Sequence, residues 1–418
     1  LCYNLTAIMT VLEQNRLAAV PKKKQKLLSL RMPAKSDRAI QGAMIVLSVY
    51  GLLMIASASM GLAVNNQRYL LLVVLKQIVF LAAGYYAMCF FARRFSLKYL
   101  QSSKFPPLAI GMGFALMACL VFPEVNGARA WIRVPVSSVD ISIQPSEFAK
   151  IMTYLIIAAY CGDVRTRYPR GRDIWKRPLI FIFSYLIIIA AFQSDAGSAA
   201  VIVLIAAFCM LIPANKQLKP IQGLIAGLLI LGIVFFLFLM TDQGVALIEK
   251  LPLKEYQKNR FLSSINPFVD RYNTGYQLVN GLISFASGGW TGLGFGNSVR
   301  KYTNFPAANT DFILAIVVEE MGLIGFLLIF IPYLIIVIQL FRYAMKMRSE
   351  KGRIILVGTA LYLVIHCLFN IGGVTGLIPL TGVPLLMISS GGSSTLSFMS
   401  AIGIAQAVIS AYRRKEIQ

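Results

Sequence analysis

Phe305-Pro306-Ala307-Ala308-Asn309-Thr310-Asp311-Phe312-Ile313-Leu314 carries the chain from a long polar loop into an apolar run that continues to about residue 341. A run of that length exceeds the roughly 20 residues that cross a hydrocarbon core as a helix. Comparable runs recur at about 39–62, 69–92, 106–122, 143–161, 178–193, 196–213, 220–240, 354–374 and 383–411. The close pair flanking Gln193-Ser194-Asp195-Ala196-Gly197-Ser198 reads equally as one broken helix. Composition agrees: 57% of residues are hydrophobic, 14% are charged, and mean hydropathy is +0.71. The fold class expected is an all-α polytopic membrane protein of about ten transmembrane helices, because a helix satisfies its own backbone hydrogen bonds in lipid.

Lysine and arginine set the expected orientation. One set of loops carries Arg93, Arg94, Lys98 and Lys104, then Arg165, Arg167, Arg170, Arg172, Lys176 and Arg177, then Lys216 and Lys219. Arg342, Lys346, Arg348, Lys351 and Arg353 continue that series, whereas the alternate loops hold only Arg68, Arg129 and Arg133. The positive-inside rule then places both termini in the cytoplasm. It also accounts for the net charge of +23 without a nucleic-acid partner. Residues 1–38, with Lys22, Lys23, Lys24, Lys26, Arg31, Lys35 and Arg38, read as a basic cytoplasmic tail lying on anionic lipid. No signal peptide is expected there. Residues 39–411 form the transmembrane domain and 412–418 a basic C-terminal tail.

The longest loop, about 241–311, falls outside the membrane. Gly288, Gly289, Gly292, Gly294 and Gly296 forbid a single helix there, while Phe261, Phe268, Tyr276, Ile283 and Trp290 imply a folded segment with short amphipathic helices.

The six cysteines, Cys2, Cys89, Cys119, Cys161, Cys209 and Cys367, lack metal or redox spacing and read as small packing residues. His366, the single histidine, lies in an apolar run and reads as a helix-packing residue, which excludes histidine triads and histidine-rich metal sites. Ionisable residues inside apolar runs are costly and mark candidate sites. These are Lys76, Glu147, Lys150, Glu319 and Glu320. Glu147 and Lys150 share a helix face and can neutralise each other, and Lys76 can pair with Glu147 or Glu319. Asp195 sits where it can cap the next helix or line a cavity. Asp311 taken alone reads first as a helix N-terminal acid. The glycine-rich loop, Arg260, Arg300 and Lys301 nearby allow a second reading: a general base beside cations, or a metal, that hold a phosphorylated substrate.

These stretches resemble a known family. Gly127-Ala128-Arg129-Ala130-Trp131-Ile132 with Gln144-Pro145-Ser146-Glu147-Phe148-Ala149-Lys150 is similar to the GARRWI and QPSEFAK signatures of the SEDS proteins, FtsW and RodA. Arg260-Phe261, Asn266-Pro267-Phe268 and Gly275-Tyr276-Gln277 resemble their outer loop. Thr310-Asp311-Phe312-Ile313, Glu319-Glu320-Met321-Gly322, Asn370-Ile371-Gly372-Gly373 and Ser390-Gly391-Gly392-Ser393-Ser394 continue the pattern in order. Departures are Asn309 for the family's histidine, Ala130 for its second arginine and Ala307 for an acid.

The resemblance implies a ten-helix peptidoglycan glycosyltransferase that polymerises lipid II outside the cytoplasmic membrane of a bacterium. It implies Asp311 as the catalytic general base, undecaprenyl diphosphate as leaving group, and a class B penicillin-binding protein and divisome proteins as partners. Arg129, Glu147, Lys150, Arg260 and Ser393 are the residues expected to contact substrate, with Lys76, Asp195, Glu319 and Glu320 in supporting roles. A divalent cation, magnesium or manganese, is compatible with the diphosphate, and its ligands are unassigned. Gly296-Asn297-Ser298 and the Asn370 segment favour FtsW over RodA. The rival functions are RodA-like elongation, a lipid II flippase with Lys76, Glu147 and Lys150 on its pathway, and, last, a small-solute transporter.

Overall fold

The computed structural model describes residues 31–417 except 65, 126, 137–138, 165–168, 252–254 and 304. Cys2, Lys22, Lys23, Lys24, Lys26, Arg165 and Arg167 lie outside the described residues.

The first seven apolar runs become α1 (Arg38–Ser59), α2 (Gln67–Arg94), α3 (Phe105–Ala118), α4 (Pro145–Cys161), α5 (Arg172–Ile187), α6 (Ala196–Met210) and α7 (Lys219–Leu239). Three short helices follow, α8 (Asp242–Lys250), α9 (Glu255–Ile265) and α10 (Tyr276–Gly288), as the composition of the long loop required. The last three runs become α11 (Ile313–Lys346), α12 (Glu350–Val374) and α13 (Gly392–Arg413). Among the described residues seven helices are long and apolar enough to cross a membrane: α1, α2, α5 with its extension, α7, α11, α12 and α13. α3 and α6 are shorter apolar helices, and α4 spans 17 residues. This is a multi-pass helical membrane protein.

Local chemistry starts these helices where it should. Asp37 accepts from Ile40 N at the start of α1, Asp195 from Ser198 N at α6, and Ser349 from Gly352 N at α12. Proline at the first turn opens α3, α4 and α7, where its missing N–H costs nothing. A π-turn at Ile188–Phe192 ends α5, and Ser194 at φ 58° turns the chain into the Asp195 cap, so the close pair is two separately terminated helices.

Hydropathy does not decide which helix is core. α7 has a hydropathy of 2.6 and none of its described residues is buried, whereas α13 has 1.4 and is 89% buried in its most apolar stretch. Lipid is as apolar as leucine, so helices associate through small and polar side chains rather than through hydrophobicity. α13 supplies Ser393, Ser394, Ser397, Ser400, Ala401, Gly403 and Ala405 to that end.

Two features depart from expectation. Ile132–Val136 (β1) and Val139–Ile143 (β2) form an antiparallel hairpin with Arg133 opposite Ser142. Alternating β-branched residues favour strands, and this run is too short to bury a helix. The final helix begins at Gly392 rather than near 383. Pro384 and Ser389-Ser390-Gly391 keep the preceding chain irregular, and side chains satisfy its backbone. Asn370 Nδ2 donates to Val383 O (3.0 Å), Ser389 Oγ accepts from Leu385 N (2.9 Å), and the Tyr333 hydroxyl donates to Leu386 O. Irregular backbone inside a membrane protein persists only under such cover.

Candidate active site

A cavity of about 930 Å³ opens among α2, the hairpin, the start of α6, the end of α7, α9 and the segment 379–394. Asp311 lies on its wall, two residues before the apolar helix α11 begins. Three consecutive carbonyls fix the backbone there. Ser390 N donates to Asn309 O (2.8 Å), Ser389 Oγ to Thr310 O (2.7 Å) and Asn370 Nδ2 to Asp311 O (2.8 Å). Ala307 at φ 54° folds the chain into the turn, whose carbonyl receives Phe312 N at 3.1 Å.

Asp311 stands at the N-terminal side of α11 but does not cap it. Phe312 occupies the cap position, with no side-chain hydrogen bond to the helix, because the turn at Ala307 swings the Asp311 side chain toward the cavity. Its charged neighbour is Arg260. A Cβ added to Gly382 would stand 3.7 Å from Asp311 Oδ2 and 3.9 Å from Arg260 Nη1, so one glycine face holds both groups. Arg260 Nη1 also donates to Leu380 O at 3.3 Å. Burial pushes the Asp311 carboxyl up from 3.8 to about 6, and Arg260 opposes that shift without cancelling it.

The other cations expected near Asp311 are elsewhere. Lys301 is buried against Glu320 (2.8 Å) and Ser57 of α1 (3.1 Å), and Arg300 donates to Asn280 at 3.3 Å. The buried glutamates organise the glycine loop instead of the cavity. Glu319 accepts from Ser298 (2.5 Å) and Ser284 (3.3 Å). Gly322, at φ 60° and ψ −155°, breaks α11 in two, and the freed carbonyls of Glu319 and Glu320 receive Leu293 N and Gly294 N at 2.9 Å each. The apolar run 312–341 reads as continuous, so this break was not expected.

Glu147 and Lys150 pair with each other at 2.7 Å and are fully buried, off the cavity wall. Tyr362 donates to Glu147 (2.6 Å), and His366 lies 3.0 Å from the Lys150 ammonium and 3.1 Å from Pro384 O. His366 thus belongs to a polar packing network. Lys76 is on the cavity wall, while the acids expected as its partners are engaged as described. Asp195 both caps α6 and lines the cavity: one carboxylate oxygen accepts from Ser198 N and the other from Gln144 Nε2, each at 2.9 Å. Ser393 lines the cavity and ties the hairpin to α13, accepting from Gln144 N (2.9 Å) and donating to Ser142 O (3.1 Å).

Arg129 is half-exposed beside Glu124 (3.9 Å) and does not line the cavity; Arg133 does. The signal was available in the period-2 alternation of 131–134, which puts Trp131 and Arg133 on one face. Asn370, which holds the Asp311 carbonyl, and Gly382, which faces the Asp311 carboxylate, also belong to the site. Among the described residues no three His, Cys, Asp or Glu side chains cluster to hold a metal.

The profile of a family described as Cell cycle protein, covering FtsW, RodA and SpoVE, matches residues 38–415. A protein of Bacillus subtilis (strain 168) called a probable peptidoglycan glycosyltransferase FtsW is 32% identical over 379 residues, 90% of each chain. Its namesake in Enterococcus hirae is 31% identical over 384 residues, covering 89% of this chain and 91% of its own. Among solved structures, a chain from a study of a peptidoglycan synthase complex coordinating polymerization and crosslinking superposes with a TM-score of 0.64. It is 22% identical and is matched over 91% of this chain and 99% of its own. The rod shape determining protein RodA of Thermus thermophilus gives 0.59 at 19% identity, over 90% and 97%. The profile match runs through every helix described above and through the Asp311 junction, and the chain belongs to the FtsW/RodA/SpoVE family of cell cycle proteins.

Proposed function

We propose that this protein is a peptidoglycan glycosyltransferase that polymerises lipid II into β-1,4-linked glycan at the outer face of the cytoplasmic membrane, with Asp311 as general base. One observation carries the assignment. Of the two acids on the cavity wall, Asp195 spends both oxygens on Ser198 and Gln144, whereas Asp311 faces the cavity with Arg260 beside it. A carboxyl raised to about 6 is mostly ionised at neutral pH yet more basic than an ordinary aspartate, which suits proton abstraction.

In this mechanism the Asp311 carboxylate takes the proton of the GlcNAc 4-hydroxyl on the acceptor. The oxygen then bonds to C1 of MurNAc on the donor as the C1–O bond to diphosphate breaks, inverting that carbon. Undecaprenyl diphosphate leaves with its electron pair, and Arg260 meets the charge that develops on it. Locking the carbonyls of 309–311 keeps the base in place before substrate arrives, which is where such catalysis gains most. The termini would lie inside and the cavity outside, with a class B penicillin-binding protein crosslinking the product and divisome proteins recruiting the pair to the septum. Position favours synthesis over lipid transport: the cavity-facing acid is at a helix end, while Glu147 and Lys150 neutralise each other inside.

The test is polymer formation from lipid II by purified protein, alone and with its co-purified transpeptidase. Asp311→Ala should abolish glycan while leaving the protein folded. Wild-type polymerisation by that variant would overturn the assignment, and lipid II translocation in liposomes without any polymer would replace it with a flippase.

A further inference from the structure

The hairpin β1–β2 has two chemically opposite faces. Register pairs Arg133 with Ser142, and both line the cavity together with Trp131 and Gln144. Ile132 pairs with Ile143 and Val134 with Ile141, which puts these four aliphatic side chains on the other face. Three of the four are open among the described residues: Val134 is 55% exposed, Ile141 39% and Ile143 40%, with Ile132 partly buried. No charged or hydroxyl side chain interrupts it among these four positions.

Its surroundings name the occupant. The chain enters the hairpin from the apolar helix α3, whose Phe114 and Met117 are exposed, as is Val121 just beyond it, and Ile143 stands two residues before α4 begins. The connection from α3 to β1 carries the exposed pair Arg129–Glu124 (3.9 Å), charges of the kind that sit at headgroup level. Strands that meet lipid must also have their edges satisfied. Here Ser393 at the start of α13 occupies the β2 edge, taking Gln144 N and giving to Ser142 O.

We propose that this hairpin is a membrane-seated element: its Val134/Ile141/Ile143 face rests in the lipid interface while its Arg133/Ser142 face forms the cavity wall. The bilayer and the cavity are then separated by the thickness of a single two-stranded sheet. This holds whatever reaction the cavity performs.

Single cysteines introduced as Val134→Cys, Ile141→Cys, Ile143→Cys and, on the cavity face, Ser142→Cys can carry an environment-sensitive fluorophore. The protein is reconstituted in phosphatidylcholine–phosphatidylglycerol vesicles with or without brominated acyl chains, and the unsubstituted protein is labelled in parallel for background. The expected result alternates with residue number. Labels at 134, 141 and 143 emit further to the blue and lose emission to the bromolipid, with little loss to aqueous iodide; the label at 142 shows the reverse. Iodide quenching at 134 and 141 equal to that at 142 would put the face in water and overturn the proposal. Protection of all three outward positions from both quenchers would overturn it in favour of a covering protein surface. Agreement among three separate outward positions keeps one badly folded variant from deciding the outcome.

Discussion

Asp311→Asn should disable the protein and stabilise it at the same time. The carboxyl titrates at about 6 in the folded chain against 3.8 ordinarily, a gap of roughly two pH units. At about 1.4 kcal/mol per unit the ionised form would cost at most about 3 kcal/mol of folding free energy. The side chain is only partly buried and opens on the cavity, where water screens it, so about 1–2 kcal/mol is the expected size. The sign follows from linkage: with the folded pKa above the unfolded one, the cost is absent below the unfolded value, grows as pH rises toward about 6, and is constant above it. Asparagine has nothing to ionise. In thermal unfolding in detergent the variant should therefore melt higher than the parent at pH 7.5, and the advantage should shrink as pH falls toward 4.5. Polymerisation by the parent should fall about tenfold per pH unit below the same pKa, and the variant should show no activity to titrate. A variant that melts lower than the parent at pH 7.5 would mean that the fold holds the carboxylate after all, and the argument for a strained, available base would fail.

Arg260→Ala removes a charge that holds the Asp311 carboxyl down, so the acidic limb of the pH–rate profile should move above about 6 while overall activity drops. Lys301→Met strips Glu320 of its buried partner and should cost about 3–5 kcal/mol in denaturation, much of it recovered when Glu320→Gln is added. Gly322→Ala should be far worse than Gly289→Ala. Both glycines have positive φ, but a Cβ at 322 would strike the Trp290 carbonyl and Gly292 N, whereas at 289 it meets nothing within 4 Å. The first should lose folded yield, and the second only the roughly 1–3 kcal/mol of backbone strain seen by thermal melting.

Hydropathy made the helices legible because each apolar run is longer than any strand and is closed by proline, glycine or a polar cap. Asp311 was legible as an acid at a loop–helix junction, and Arg260 as a cation near it. What escaped has a common cause: it depends on partners far apart in the chain. Lys301 reaches Glu320 and Ser57 across 19 and 244 residues, and nothing local in Arg300-Lys301 says that one turns inward and the other toward Asn280. Gly322 reads as one more glycine in an apolar helix until the amides of 293–294 are seen taking the carbonyls it frees. The exchange of Arg129 for Arg133 on the cavity wall is a matter of strand register, which a motif centred on Arg129 conceals.

The break at Gly322 also explains why the charges far from the cavity matter to it. If α11 ran unbroken from Ile313 to Lys346, any tilt of the membrane helix would carry Asp311 with it. Instead the segment 313–321 is anchored at both ends. Asn309, Thr310 and Asp311 give their carbonyls to Ser390, Ser389 and Asn370, and Glu319 and Glu320 give theirs to the glycine loop. The buried Lys301–Glu320 pair, joined by Ser57, binds that second anchor to α1. A buried ion pair is weak evidence for stability but is well suited to fixing one arrangement over its alternatives. Glu319 and Glu320, which read as candidate site residues inside an apolar run, thus hold the short helix still, and Asp311 faces the cavity from its other end.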